Sequence, residues 1–559
     1  MEKIFRIFSR EYGNVNQAAF LLGSFAFLSQ ILGLFRDRSF AHFIGPSPLL
    51  DIYYAAFRVP DLIFISVASL ASVTVLIPFI VSRMDNGAVT EKARKFLNDV
   101  FSVFLLLLLI VSLFAFILMP LLVHFVAPGF DAEMQAKLIN VSRIMLLSPI
   151  LMGLSNLFGT VTQLFRKFFI FSLSPVFYNL GIIIGIILFY PFWGIYGLAL
   201  GVVLGALLHF SIQLFASTNC GFPPKFSFDI NFKDIRQAII TSFPRTLGLA
   251  FNNIALICII AFASFLQAGS ISIFNLSYNL QSVPLNIIGI SYAVAAFPSL
   301  AKSFSGGKID DFKNHLKSAA RQIIFWSLPV TFLFIVLRAQ IVRVVLGSGS
   351  FSWDNTRLAA ASLAIFSTSV IAQGMVALLS RAYYAKGETT KPLVVNLFCS
   401  VVIIILSYVF MHLFENVILF RYFVESLFKV EDIPGTEVLM LPLAYSAGTI
   451  LNFILHWYFA KRELIKGEPF ISRTFFQSLG ASFFLGFITY SSLNYFSPIF
   501  GLTTFWGVFL QGFISGIFGI LAGAGVLYLL KNEEFREVIK TLRTHFWQAR
   551  VIAPPQEGL

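Results

Sequence analysis

The sequence predicts an all-α polytopic membrane protein, and two observations carry that prediction. Charge is scarce: of 559 residues, 57% are hydrophobic and only 12% are charged, against about 25% charged in an ordinary soluble domain. Water cannot solvate a surface so poor in charge, so lipid must be the solvent for most of it. Apolar runs of about 20 residues also recur from end to end, each long enough to cross the hydrocarbon. No stretch between them is long enough for a separate soluble domain.

About fourteen spans are expected, near 17–43, 51–82, 97–126, 135–162, 169–190, 194–216, 238–265, 271–301, 319–346, 357–384, 393–414, 438–460, 474–495 and 503–530. The loop after the second span holds Arg83, Lys92, Arg94 and Lys95. Later even-numbered loops hold Arg166 and Lys167, then Lys225, Lys233 and Arg236, then Lys302, Lys308, Lys313 and Lys317. Lys386 and Lys391 follow, and finally Lys461, Arg462 and Lys466. Odd-numbered loops are nearly uncharged or, like Glu415 to Glu437, acidic. This alternation obeys the positive-inside rule and, with an even span count, puts both termini in the cytoplasm. It also accounts for the net charge of +13 without a nucleic-acid partner. Met1 to Asn16 is basic and polar, and it reads as a cytoplasmic cap on a retained first span rather than as a cleaved signal peptide. The three cysteines lie far apart and the seven histidines make no ligand spacing, so no disulfide framework, metal site or cofactor is expected. No acid–base or nucleophile set points to an enzyme.

A weak internal repeat runs through the chain. Ser29-Gln30-Ile31-Leu32-Gly33-Leu34 in the first span resembles Pro244-Arg245-Thr246-Leu247-Gly248-Leu249 in the seventh. Pro175-x-x-x-Asn179 resembles Pro392-x-x-x-Asn396, and Pro78 matches Pro298. The three offsets agree at about 215 to 220 residues, the kind of self-similarity that marks transporters. The expected organisation is an N-lobe of six spans (1–217), a cytoplasmic linker (218–236), a C-lobe of six spans (237–462), and two further spans with a cytoplasmic tail (463–559).

Charges inside the spans need a reason, because each costs roughly 2.5–3.5 kcal/mol at a helix centre on insertion scales. Arg38 and Arg381 read as snorkelling to the headgroups. Arg36 and Arg58 lie further from an interface and read as facing a water-filled interior, where Asp37, Asp51 and Asp61 could pair with them. Arg245 is open between the two readings. Pro60, Pro78, Pro175, Pro284, Pro298 and Pro392 can kink their helices. They either shape packing or let the lobes bend around a central cavity. Asn252, Asn253, Asn275, Asn279 and Asn286 form an amide cluster in spans seven and eight, partly interhelical glue and partly a polar path.

Leu28-Ser29-Gln30-Ile31-Leu32-Gly33-Leu34-Phe35-Arg36-Asp37 resembles the first-helix signature of the MurJ/MviN family, the lipid II flippases of the MOP superfamily. The resemblance continues through Gly45, Asp51, Ala56-Phe57-Arg58-Val59-Pro60 and Val75-Leu76-Ile77-Pro78. It resumes at Ala127-Pro128-Gly129-Phe130, Ser264-Phe265-Leu266-Gln267-Ala268-Gly269-Ser270, Phe297-Pro298-Ser299-Leu300, Arg381-Ala382-Tyr383-Tyr384-Ala385 and Thr390-Lys391-Pro392. It therefore covers nearly the whole chain.

The resemblance implies the MOP fold and a central cationic cavity for the diphosphate-sugar head of a polyprenyl-linked precursor, with the tail left in lipid between the lobes. Arg36 and Asp51 match positions the family treats as functional. The sequence departs from the family where Gln30 and Phe64 replace usual arginines, and where Tyr278-Asn279 replaces an Asp-Arg pair. Arg245 stands at the repeat position equivalent to Gln30, so the missing guanidinium is read as moved to the opposite wall. The expected substrate-facing set is Gln30, Arg36, Asp37, Asp51, Arg58, Arg245 and Asn279. The expected partners are lipid II, membrane lipids and cell-wall synthesis enzymes, at a bacterial inner membrane. The alternatives are an exporter of another lipid-linked oligosaccharide or of a cationic drug, an enzyme acting on lipid phosphates, and a non-transporting cell-wall scaffold. Acidic groups in mid-span are too few for a cation exporter. A lipid-phosphate enzyme lacks its metal-binding carboxylate pairs and its acid–base set.

Overall fold

The computed structural model describes residues 15–68, 73–85, 89–165, 167–465, 471–501 and 504–546. Each predicted span coincides with helical segments, and no β-strand occurs among the described residues. Among the described residues, nine helices of 25 to 36 residues are apolar enough to cross a bilayer, including Glu91–Val126, Phe168–Trp193, Ile195–Asn219, Ser270–Ser305 and Thr390–Asn416. The third span, at 36 residues, is about 54 Å long, well beyond a hydrocarbon core of about 30 Å. Its polar first turns, capped by Thr90, therefore project past the bilayer.

Several spans that read as single helices are interrupted, among them the second and the tenth. The second runs as Pro48–Ala56 and Arg58–Ile63, followed by a π-turn at Phe64–Ala68. Pro60 is the cause: it has no N–H for the carbonyl of Ala56, so the helix opens at Phe57. It restarts where the Asp61 N–H donates to the Phe57 carbonyl at 2.8 Å. The tenth, Trp353–Ser367 plus Val370–Ala385, bends by 41°. In the eighth, Pro284 leads into a π-turn at Leu285–Ile290, as its kink signal predicts. Pro175, by contrast, is carried inside a continuous helix, Phe168–Ile184.

The chain divides into two compact units, 1–283 with 345–366 and 387–455, and 284–344 with 367–386 and 456–559. In the first, spans five and six meet backbone to backbone. A Cβ on Gly181 would lie 2.2 Å from the Gly205 Cα, and one on Gly185 2.5 Å from the Gly201 Cα. Glycines four residues apart on both helices, 181/185 and 197/201/205, allow this approach. The linker crosses the projecting turns of span three. The N–H groups of Lys225 and Ser227 donate to Asn98 Oδ1 (3.0 Å) and Ser102 Oγ (2.7 Å), and Lys95 pairs with Asp229 at 2.6 Å. In the second unit, Gly519 and Gly523 of span fourteen pack against Thr489 and Leu485 of span thirteen. Arg321 there holds both Glu533 and Glu534, fastening the last helix, Glu533–Phe546.

Candidate functional site

The broken second span builds the site. Tyr54, Phe57, Arg58 and Asp61 follow at the i, i+3, i+4 and i+7 spacing of one helix face, and all four line a cavity of about 340 Å³ in the first unit. Tyr53 of the same span, Arg36 and Phe40 from span one, Tyr178 from span five, Asn253 from span seven, and Asn275, Tyr278 and Asn279 from span eight complete its polar and aromatic lining.

Both predicted interior arginines reach this cavity, each held by partners behind it. Arg36 donates from Nε and Nη2 to Asp37 Oδ1 (3.0 and 2.8 Å) and from Nη1 to Asn179 Oδ1 at 3.1 Å. Asn179 donates in turn to Ser29 Oγ at 3.2 Å. The other oxygen of Asp37 accepts from Asn279 Nδ2 at 3.1 Å. A buried carboxylate thus ties spans one and eight together while setting the direction of a guanidinium. Arg58 donates from Nη2 to Asn275 Oδ1, and its buried Nε has no hydrogen-bond partner among the described residues. Two guanidiniums lining one cavity, one fixed by a fork and one partly unpaired, suit an anionic oxygen-rich group. The tyrosines and amides beside them can stack on or hydrogen-bond a sugar.

Asp51 departs from the expectation that it could pair with an arginine. It is buried, and Oδ2 accepts from the Gly269 N–H (2.6 Å) while Oδ1 accepts from the Ser272 N–H (2.8 Å) and hydroxyl (2.6 Å). It therefore caps, from span two, the N-terminus of helix Ser270–Pro284, where unpaired N–H groups and the helix dipole favour an anion. Gly269 makes the approach possible: its φ is +95°, and a Cβ there would meet Pro46 at 3.1 Å. Asp61 lines the cavity beside Arg58. Arg38, read as snorkelling, instead reaches the Val345 carbonyl at 3.4 Å. Gln30 is half-buried and is not part of the cavity lining. The side chains of Arg245 and Asn252 lie outside the described residues. Asn396, the repeat counterpart of Asn179, accepts from Asn452 Nδ2 at 3.0 Å, so both repeat asparagines tie helices together.

Sequence reasoning missed Tyr53, Tyr54 and Tyr178 as lining residues, because tyrosine in a membrane chain reads first as an interface residue. The signal that could have found Tyr54 is its place on the Arg58–Asp61 face.

The many apolar helices of this chain, with an arginine-bearing cavity in one unit, share their fold with solved transporters of the MOP superfamily. The fold matches the solved structure of "Lipid II flippase MurJ, inward closed conformation", with a TM-score of 0.72 at 21% identity over 93% of this chain and 100% of that one. It also matches an inward-facing multidrug resistance MATE transporter of the MOP superfamily, with a TM-score of 0.61 at 15% identity over 78% of this chain and 95% of that one. Residues 40–510 match the family described as "Lipid II flippase MurJ", and the chain belongs to that family. A protein of Buchnera aphidicola subsp. Schizaphis graminum, described as "Probable lipid II flippase MurJ", is 26% identical over 92% of this chain and 96% of its own length. One of Thermotoga maritima with the same description is 26% identical over 69% of this chain and 76% of its own length.

Proposed function

We propose that the chain carries lipid II, the polyprenyl-diphosphate-linked peptidoglycan precursor, from the inner to the outer leaflet of the bacterial inner membrane by alternating access. The observation that carries this reading is the pair Arg36 and Arg58 on one buried cavity, in a chain that belongs to the lipid II flippase family. A diphosphate cannot enter hydrocarbon unaided, because burying an unpaired charge is prohibitive. Fixed guanidiniums replace part of its hydration, and Asp37, Asn179, Asn275 and Asn279 hold them in place. Asp51 acts as a gate residue: while it caps span eight, spans two and eight stay together. Rocking of an N-lobe (1–217) against a C-lobe (237–462), joined by the 218–236 linker, opens the cavity to each side in turn. An inside-negative potential favours outward movement of an anionic head by roughly 2.3 kcal/mol per charge per 100 mV. Arg245 supplies a further guanidinium in place of Gln30. Cell-wall synthesis enzymes are the partners that take up the delivered precursor.

The test is complementation of a flippase-depleted bacterium, with precursor sidedness read directly. Arg36→Ala abolishes transport, and Arg36→Lys restores it in part because a point charge cannot reproduce the fork. Arg245→Ala fails, and adding Gln30→Arg recovers some transport. Growth rescue by an Arg36→Ala, Arg58→Ala double variant would favour a non-transporting scaffold. Orientation is read separately. With both termini cytoplasmic, cysteines at Ser47 and Gly435 react with an impermeant reagent from outside, and one at Gly87 does not.

A further inference from the structure

Between spans eleven and twelve stands an 11-residue helix, Ile418–Phe428, to which the proposed transport cycle assigns no part. We infer that it is an interfacial helix, lying at the bilayer surface with its apolar face sunk among the lipids and fixing one end of span eleven. Ile418, Leu419, Tyr422, Phe423 and Leu427 follow at i, i+1, i+4, i+5 and i+9, a single stripe. That stripe is unusually bare: Leu419 is 80% exposed and Ile418 68%. The opposite face is fastened down. Val424 and Glu425 are buried, and Glu425 Oε1 accepts from Arg421 (3.0 Å) and from the Thr436 hydroxyl (2.7 Å). Arg357 closes the far end, donating to both oxygens of Asp432 (2.7 and 3.0 Å) and to the Lys429 carbonyl. The helix is thus held rigidly with its greasy side outward.

Its depth follows from the chain. Span eleven, Thr390–Asn416, has 27 residues and is about 40 Å long, enough to cross a core of about 30 Å and end among the headgroups. A single extended residue, Val417, separates its end from Ile418. Span eleven carries its own exposed apolar stripe (Phe398, Val401, Ile405 and Tyr408), and the short helix with its bare apolar stripe follows it after that one residue. Arg421 is committed to Glu425, and the exposed Lys429 at the C-cap is outnumbered by Glu431, Asp432 and Glu437 nearby. Attraction to anionic lipid therefore contributes little, and apolar area drives insertion. Bilayer contact does not depend on the transport reading. The leaflet does depend on the proposed orientation, which thiol labelling at Gly435 reads independently.

The experiment places nitroxides on the full-length protein in nanodiscs of phosphatidylcholine only. Cys220, Cys258 and Cys399 are replaced, and Leu419→Cys, Phe423→Cys or Glu431→Cys is added. At 419 and 423 oxygen should broaden the signal strongly and a water-soluble nickel chelate hardly at all, with the order reversed at 431. Nickel access at 419 and 423 would leave that face in water, awaiting a soluble partner, and overturns the proposal. Exclusion of both reagents with dipolar broadening would mean a second copy covers the face, and overturns it equally. Should the cysteine-free protein not fold, a benzoylphenylalanine crosslinker at Leu419 in the native background serves in cells. A phospholipid adduct supports the proposal, and a protein adduct sinks it.

Discussion

The seam between spans five and six and the wall made by spans one, two and eight belong to the same compact unit, yet they are held together by opposite means. The seam has no room and almost no chemistry: Gly181, Gly185, Gly201 and Gly205 let two backbones touch. The wall has room and much chemistry, with a cavity of about 340 Å³ whose two arginines bond to Asp37, Asn179 and Asn275, and with Asn279 bonded in turn to Asp37. Dispersion between close backbones has one geometry and locks it. A set of directional polar bonds can be exchanged for bonds to water or to a ligand. The seam is the fixed part of this region, and the wall is the part that can be rearranged.

The largest expected effect breaks the seam. Gly181→Leu should abolish stable folding, and Gly181→Ala should cost about 1–3 kcal/mol or more, because the new methyl meets backbone that cannot yield. Gly33→Ala, with nothing within 4 Å of the added carbon, should leave the thermal midpoint of the purified protein unchanged. Equal tolerance at both positions would remove the distinction.

The next effect separates fold from function at the wall. Arg36→Ala alone strands the buried Asp37 carboxylate, at a cost of about 3–5 kcal/mol for breaking a buried pair. Adding Asp37→Asn should restore the thermal midpoint but not precursor transport. Recovery of both would make the guanidinium a structural part only.

Smaller again is Asp51→Asn. One amide oxygen remains to serve three donors, and the new N–H₂ faces N–H groups. The closure should weaken by about 1–3 kcal/mol, and a cysteine at Asn253 should label faster from outside. Unchanged labelling would show that the cap does not hold the gate.

The smallest effect lies at the linker. The Lys95 ammonium bonded to Asp229 holds that exposed carboxyl below its ordinary range. The pair is therefore intact above the usual carboxylate range and is lost only as pH falls through the lowered value. Protease nicking of the linker should not change between about pH 8 and 5. Asp229→Asn should leave global stability unaltered.

The spans were legible because crossing lipid demands about 20 apolar residues in a row, a local property. The interior position of Arg36 and Arg58 was legible for the same reason, since mid-span charge is expensive. The opening of the second span at Phe57 was half legible, as Pro60 announced a kink but not which residue would absorb it. What could not be read were partners distant in the chain: Asn179 for Arg36, Asn275 for Arg58, and the Gly269 and Ser272 N–H groups for Asp51. No local pattern encodes which helices meet. The close backbone contact between the glycines of spans five and six was present in the spacing but carried no charge to draw notice.

The Asp51 cap has a consequence for how a membrane protein can come apart. Had spans two and eight been joined there by leucines, parting them would bare oil to water, and the surfaces would snap shut again. A carboxylate on three donors leaves two hydrophilic faces, each of which wets at once when the bond is released. Solvent then takes the place of the lost partner almost bond for bond. If Asp51 is the proposed gate, such a closure has little stickiness of its own, and an occupant of the cavity would tip it with a modest push.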